Sequence, residues 1–334
     1  MTTNSELPIL TIVIPCYNEE AVLPITYKEF LNELDYLVKT SRVHSDSTIL
    51  FVDDGSDDST WDIISDLSKE HRRISGIALS RNRGHQNALL AGLMEAREYS
   101  DVTISIDCDG QDDISAMSEM IDAYNDGSEI VYGVRSDRES DSAFKRMSAQ
   151  MFYRLLNDMG VESVFNHADF RLMSKKTLDA LSEYDETNLY LRGLIPLIGY
   201  KTDTVEYKRS ERVAGNSHYP LAKMTSLALN GITNLSIKPI RIITIFGLLV
   251  TPISFIGAIW AIVATLLGVN VPGWASLVLV ICFFGGAQML SLGIIGEYIG
   301  KMYLETKHRP KYHIAERIGR SDHGGLKELE LRFP

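Results

Sequence analysis

Hydrophobic positions in the first 140 residues alternate between two periods. Short β-rich runs at Thr11 to Ile14, Thr48 to Val52, Ile74 to Leu79, Val102 to Ile106 and Ile130 to Val134 read as strands. Between the first two, Val22, Tyr27, Phe30, Leu31, Leu34 and Val38 form one apolar helical face, and further helical patterns follow Ser59, Gln86 and Ser115. Strands alternating with helices predict an α/β domain with a Rossmann-like, mostly parallel, doubly wound sheet. In such a sheet the ligand site lies beyond the carboxyl ends of the strands.

The pattern changes after residue 220. Leu221, Met224, Leu227, Ala228, Ile232 and Leu235 recur at three- and four-residue spacing, which fits either a helix lying in a membrane interface or a core helix. No residue from Ile242 to Leu267 or from Trp274 to Gly296 is charged. As helices these stretches would span roughly 35–39 Å at 1.5 Å per residue, against a hydrocarbon core of about 30 Å, so two C-terminal transmembrane helices are expected. Lys238 and Arg241 precede the first and Lys301, Lys307, Arg309 and Lys311 follow the second, while the connector 268–273 carries no charge. The positive-inside rule then puts both termini and the large domain on the cytoplasmic side of a plasma or inner membrane. The expected organisation is a domain over 1–220, an amphipathic juxtamembrane helix over 221–239, a two-span region over 240–298 and a C-terminal tail over 299–334. Small residues four apart, Ala287 with Ser291 and Gly296 with Gly300, would let helices pack closely, and a homo-oligomer is compatible with them.

Composition narrows the class further. With 45% hydrophobic and 23% charged residues the chain can bury a core and is not disordered. The formal net charge of −11 is concentrated before residue 196, whereas 197–241 and 297–334 are basic. An acidic domain repels nucleic acid and suits a bound cation, and basic flanks suit an anionic membrane surface. Cys16, Cys108 and Cys282 show no CxxC spacing, so neither a disulfide framework nor a zinc site is implied. No basic stretch followed by an apolar one opens the chain, so no signal peptide is read there, and Leu10 to Ile14 is the start of the sheet.

Polar clusters follow four of the strands: Pro15-Cys-Tyr-Asn-Glu-Glu20, Asp53-Asp-Gly-Ser56, Ser80-Arg-Asn-Arg-Gly-His-Gln86 and Asp107-Cys-Asp-Gly-Gln111. Neither GxGxxG nor GxxxxGK[ST] is present, which disfavours a dinucleotide enzyme of the usual kind and a P-loop NTPase. Asp107 and Asp109, one residue apart at a strand end, can turn both carboxylates to one hard cation, Mg²⁺ or Mn²⁺, together with substrate phosphate oxygens. Asp53-Asp-Gly-Ser56 is an ordinary Asx turn or a carboxylate pair that meets a nucleoside. The loop Arg81 to Gln86 reads equally as a solvated turn, and His85 as structural rather than catalytic.

In their order these clusters, with Ala168-Asp-Phe-Arg171 and Arg212-Val-Ala-Gly-Asn-Ser-His-Tyr219, resemble the family 2 glycosyltransferases with a GT-A fold. With two spans behind them they look like the polyprenyl-phosphate hexosyltransferase branch, which includes the bactoprenol glucosyltransferases and the dolichyl-phosphate mannosyltransferases. The likeness runs from about Leu10 to Tyr312. Two places depart from the family pattern: Arg83 stands where an aromatic is frequent, and Asn216 with His218 where Glu and Lys are usual.

The resemblance implies an inverting, metal-dependent transfer of one hexose, with glucose from UDP-glucose the first choice and mannose from GDP-mannose the alternative, to a polyprenyl phosphate. It implies that Pro15, Tyr17, Glu19, Asp53 and Arg81 hold the nucleotide, with Asp107 beside ribose and diphosphate and Arg212 on the diphosphate. Asp109 and Gln111, with Asp107, would hold Mg²⁺ or Mn²⁺. Asp169 matches a carboxylate needed near the reacting sugar, as base or as positioner. Arg135, Lys145 and Arg146 are candidates for the acceptor phosphate, or plain surface charges. A processive polysaccharide synthase would carry a QxxRW motif, and none of Trp61, Trp260 and Trp274 follows an Arg. A nucleotidyltransferase would show a Gly-rich basic loop near the N-terminus, and a non-catalytic scaffold need not keep Asp107, Asp109 and Asp169.

Overall fold

The computed structural model describes residues 7–136, 167–208, 233, 236–267 and 273–319. Two compact units divide the chain: Met1–Arg146, Val164–His218 and Pro310–Pro334 form one, and Met147–Ser163 with Tyr219–Arg309 the other.

The first unit holds one eight-stranded sheet. Its strands are β1 (Leu10–Cys16), β2 (Thr48–Asp53), β3 (Ile74–Leu79), β4 (Val102–Ser105), β5 (Ile130–Arg135), β6 (His167–Ser174), β7 (Thr202–Tyr207) and β8 (Ile314–Ile318), in the order β7-β5-β6-β4-β1-β2-β3-β8. The five strands expected from periodicity are the first five, and β4-β1-β2-β3 form a parallel block. Strands β6 and β8 run antiparallel to β4 and β3. Helices α1 (Leu23–Lys39), α2 (Thr60–Glu70), α3 (His85–Arg97), α4 (Ala116–Asn125), α5 (Lys175–Ser182) and α6 (Leu191–Leu197) cover both faces.

Alternation along each strand decides which face a residue serves. Leu10, Ile12, Ile14 and Cys16 of β1 face a core with Phe30 and Leu34 of α1, Ile64 of α2 and Met117 of α4. Val13 and its neighbours Leu50, Val52 and Ile77 face Leu89 and Leu93 of α3, with Leu178 of α5 and Leu194 of α6. Because both faces are covered, β1 is buried throughout and reads as a continuous apolar run. Helix α3 lies closest: a Cβ on Gly92 would sit 2.5 Å from Val13 Cγ1 and 2.6 Å from Val52 Cγ2. The chain order reverses on the two sides of β1, which makes the crevice between the ends of β1 and β4 the switch point of the sheet.

The expected tail over 299–334 is corrected in part: β8 comes from it and closes the β3 edge, so the sheet domain does not end at residue 220. Periodicity missed this strand because Ile314–Ile318 is short and charged.

The second unit contains α7 (Lys238–Leu266) and α8 (Trp274–Glu305). Among the described residues one helix, Lys238–Ala264, is long and apolar enough to cross a membrane, with none of its apolar window buried. Leu248 is 73% exposed and Leu266 82%. Helix α8 is continuous past the expected end at Gly296, and Tyr298 Oη donates to the carbonyl of Ser236 at 2.5 Å within this unit. The expected amphipathic helix from Leu221 lies outside the described residues.

The fit of α3 gives a test of packing. Gly92→Val forces that helix off the sheet, and overpacking of this kind costs about 1–3 kcal/mol, read as a lowered thermal midpoint in detergent.

Candidate active site

Two loops, after β1 and after β2, build one side of the switch point. After β1, Asn18 takes a left-handed turn (φ 55°), its N–H donates to Ser56 Oγ at 3.0 Å and its Oδ1 accepts from the Asp57 N–H at 2.9 Å. The Glu19 N–H donates to Thr60 Oγ1 and the Ser59 N–H to Glu20 Oε2. Pro15 is buried at the end of β1, whereas Tyr17 stands 43% exposed. The two carboxylates after β2 take different tasks. Asp53 accepts from the Ser56 N–H, and burial pushes its pKa up. Asp54 is spent on structure: it accepts from the Arg83 N–H at 2.7 Å and the Gly84 N–H at 2.9 Å, pinning the loop after β3. Gly55 permits this approach, since it has φ 65° and a Cβ there would lie 2.5 Å from the Arg81 carbonyl carbon. Arg81 is exposed on the same loop.

That loop delivers His85, the first residue of α3. His85 Nε2 lies 3.2 Å from Asp169 Oδ2 and 3.6 Å from Asp107 Oδ1. Burial opposes the charged imidazole, but Asp169 and Asp107 outweigh it and hold its pKa above the ordinary value. The sequence reads His85 as structural rather than catalytic; the fold sets it beside Asp107 and Asp169. The available signal was its place one residue beyond a glycine at the carboxyl edge of a strand.

Asp169 is supplied by β6, beside β4, where Ser105 Oγ donates to the Asp169 carbonyl at 2.6 Å. Its carboxylate is nearly buried and receives both arms of Arg192, Nε at 3.1 Å and Nη2 at 2.9 Å. Arg171, 1% exposed, places Nη2 3.9 Å from Asp169 Oδ1, and its guanidinium lies 5.5 Å from the centre of the Tyr132 ring. Burial alone would raise Asp169; His85 and Arg192 reverse that and hold it well below the usual carboxylate range. Arg192 and Arg171 went unnoticed as site residues in the sequence. Arg192 sits on a seven-residue helix without any motif, and only the fold brings it to Asp169.

Asp107 has the opposite environment. Burial, then Asp169, Asp112 and Asp109 as like charges, push it up to about 6 against the lowering pull of His85. Its Oδ1 is shielded from solvent and makes no hydrogen bond. Asp109 Oδ1 accepts from the Gln111 N–H at 3.1 Å. An orphaned carboxylate oxygen among further carboxylates fits a hard divalent cation, which would supply the missing positive charge. Donor atoms of His85, Asp107 and Asp169 also lie within 4.8 Å of one another, so Asp107 belongs to both possible donor sets. Arg135 points elsewhere: its Nε donates to Tyr207 Oη at 3.2 Å and its Nη2 reaches Asp112 Oδ1 at 3.4 Å, while Tyr207 Oη donates to Asp112 at 2.7 Å. Lys145, Arg146 and Arg212 lie outside the described residues.

The fold is an α/β domain of GT-A type, with a mostly parallel, doubly wound sheet and carboxylates clustered at its switch point. Residues 11–182 match the model of Glycosyl transferase family 2, and the chain belongs to that family and is a glycosyltransferase. It is 50% identical to the uncharacterized glycosyltransferase YkoT of Bacillus subtilis (strain 168) over 92% of this chain and 91% of that one. It is 40% identical to the bactoprenol glucosyl transferase of Shigella phage SfV over 91% of this chain and 97% of that one. The prophage bactoprenol glucosyl transferase homolog of Escherichia coli (strain K12) is also 40% identical, over 91% and 98% of the two chains.

The pairing of Asp169 with Arg192 makes their effects inseparable. Asp169→Asn and Arg192→Ala should each lower the turnover rate about 10²–10³-fold, and the double variant should fall no further than the worse single one. Rate measurements on all four forms check this; additive losses would mean that the two residues act separately.

Proposed function

We propose that the protein transfers a single hexose, glucose from UDP-glucose, to undecaprenyl or another polyprenyl phosphate at the cytoplasmic face of the membrane, with inversion. The observation that carries this reading is the 40% identity to named bactoprenol glucosyl transferases along nearly their whole length, apolar C-terminal segment included. The product is a lipid-linked sugar donor for modification of a cell-surface glycan.

In this reading Pro15, Tyr17, Glu19, Asp53 and Arg81 line the nucleotide, and Arg212 meets its diphosphate. Asp109, Gln111 and Asp107 hold Mg²⁺ or Mn²⁺, which would neutralise charge on the departing diphosphate. Asp107 with its orphaned oxygen supports that assignment. A phosphate monoester has a second pKa near 6 and attacks as a dianion, so it needs no strong base. A carboxylate held as far down as Asp169 is a poor base, which favours a role in orienting sugar or acceptor, with His85 and Arg192 fixing its direction. Arg135, Lys145 and Arg146 remain the proposed clamp for the acceptor phosphate. The ties of Arg135 to Asp112 and Tyr207 give it a fixed position from which to serve.

Topology supports two crossings. Strands β3 and β8 are hydrogen-bonded in one sheet, so the chain before Lys238 and the chain after Glu305 lie on the same side of any bilayer. A return through a second membrane helix fits this pairing, and α8, of 32 residues, has the length for it.

Membranes carrying the protein, incubated with polyprenyl phosphate, Mg²⁺ and labelled UDP-glucose, UDP-galactose or GDP-mannose, should yield labelled lipid from UDP-glucose. Absence of lipid product from every donor sinks the proposal, and product from GDP-mannose alone replaces the sugar. Asp109→Ala or excess chelator should reduce the rate at least about 100-fold, as loss of a charge-stabilising group does; a normal rate removes the metal assignment.

A further inference from the structure

Strand β8 is the last described element of the chain, yet it starts beside the loop that carries His85. Its register against β3 runs Gly76 to Ile318, Ile77 to Arg317 and Ala78 to Glu316, then shifts so that Leu79 meets Ile314. The shift is a bulge that reverses the alternation of side chains. Ile318 therefore packs on the core beneath α1 and α2, while Ile314 and Tyr312 pack on the core beneath α3.

Polar contacts fasten the same segment to both flanking helices. Arg317 forms a two-armed pair with Glu95 of α3 at 3.0 and 3.1 Å, and Trp61 Nε1 of α2 donates to Glu316 at 3.1 Å. Lys311 Nζ donates to the Tyr184 carbonyl at 2.8 Å. Gly319 completes the fit with φ 87°, where a Cβ would lie 2.6 Å from the Ile74 carbonyl oxygen. Just beyond the bulge, the His313 carbonyl accepts from the Ser80 N–H at 2.9 Å. Ser80 is the first residue after β3 and opens the loop to Gly84. Asp54 holds the far end of that loop through Arg83 and Gly84, and His313 holds the near end.

We infer that the segment Lys311–Ile318 is a positioning element of the active site, which fixes the Ser80–Gly84 loop and through it the approach of His85 to Asp107 and Asp169. The role follows from where the hydrogen bond falls. Besides pairing with β3 along Gly76–Leu79, as a strand that merely covered an exposed edge would, this one reaches past the end of β3 to the first loop residue. One consequence concerns assembly: β8 is translated after both apolar helices, so the loop is not held until the chain has passed through them. A truncation near Ser236 thus removes an active-site support along with the anchor, and lost lipid transfer by that truncation does not isolate the anchor's contribution.

The inference rests on the proposed hexose transfer only for its rate measurement, and amide hydrogen exchange reads it without substrate. Full-length protein in detergent is compared with Arg317→Glu, which faces Glu95 with a like charge, with Ile314→Asp, and with the charge-swapped pair Arg317→Glu/Glu95→Arg. The expected result is about fivefold faster exchange in the peptide covering Ser80–Gln86 for the first two, with peptides from β1 and β4 unchanged. The turnover number falls by a similar factor while KM for the lipid acceptor stays constant, and the swapped pair restores both to within about twofold. Fast exchange at Ile314–Ile318 with Ser80–Gln86 still protected overturns the inference. So does equal acceleration across β1 and β4, because the loop would then follow global stability alone. A wild-type chain inactive towards every donor overturns the proposed transfer instead, and the exchange comparison decides the role of the strand.

Discussion

Like charges gathered at one sheet edge are the constraint on which the rest of this site depends. Asp169, Asp112 and Asp109 all act on Asp107 there, which is pushed up to about 6 by its burial and by these three. A catalytic domain can bury such a group only by bringing counter-charges to it or by taking up a cation. The first device is visible in the side chains. Asp169 is matched by Arg192, His85 and the buried Arg171, and Asp112 by Arg135 with Tyr207. Asp107 keeps one oxygen with no hydrogen bond and only the distant charge of His85 at 3.6 Å, where a divalent ion would supply further positive charge.

The counter-charges come from separate parts of the chain, which explains why the loops are so firmly tied. Arg192 arrives on α6, whose Leu191 N–H donates to Gln86 Oε1, so the helix carrying Arg192 is joined to the turn carrying His85. His85 in turn depends on a loop pinned by Asp54. Asp54 neighbours Asp53 in the sequence, yet one carboxylate caps its own turn at Ser56 while the other anchors a neighbouring loop. Preorganisation of this kind is what lets fixed dipoles and charges act on a developing charge without reorganising first.

Membrane attachment and catalysis are joined through the sheet. The chain leaves the first unit, forms two long helices whose apolar side chains are largely exposed, and returns to add a strand to that sheet. A soluble fragment lacking these helices would also lack β8, and its edge strand β3 would be left with unpaired backbone groups.

Much was legible before any coordinates. Period-two and period-3.6 patterns located the first five strands and the helices between them, because burial on a defined face imposes those spacings locally. The strand pattern placed Asp107 and Asp109 at the carboxyl edge, since the parallel block brings its strand ends there, whereas Asp169 reaches that edge near the start of the antiparallel β6. Uncharged runs marked α7 and α8 in the same local way. The role of His85, the service of Arg192 and Arg171 to Asp169, the division of work between Asp53 and Asp54 and the return of β8 to the sheet were decided by tertiary structure alone. Each is a contact between residues distant in sequence, and periodicity carries no record of which distant charge a buried carboxylate will meet. Sequence determined where the chemistry gathers; folding decided which charges hold it in place.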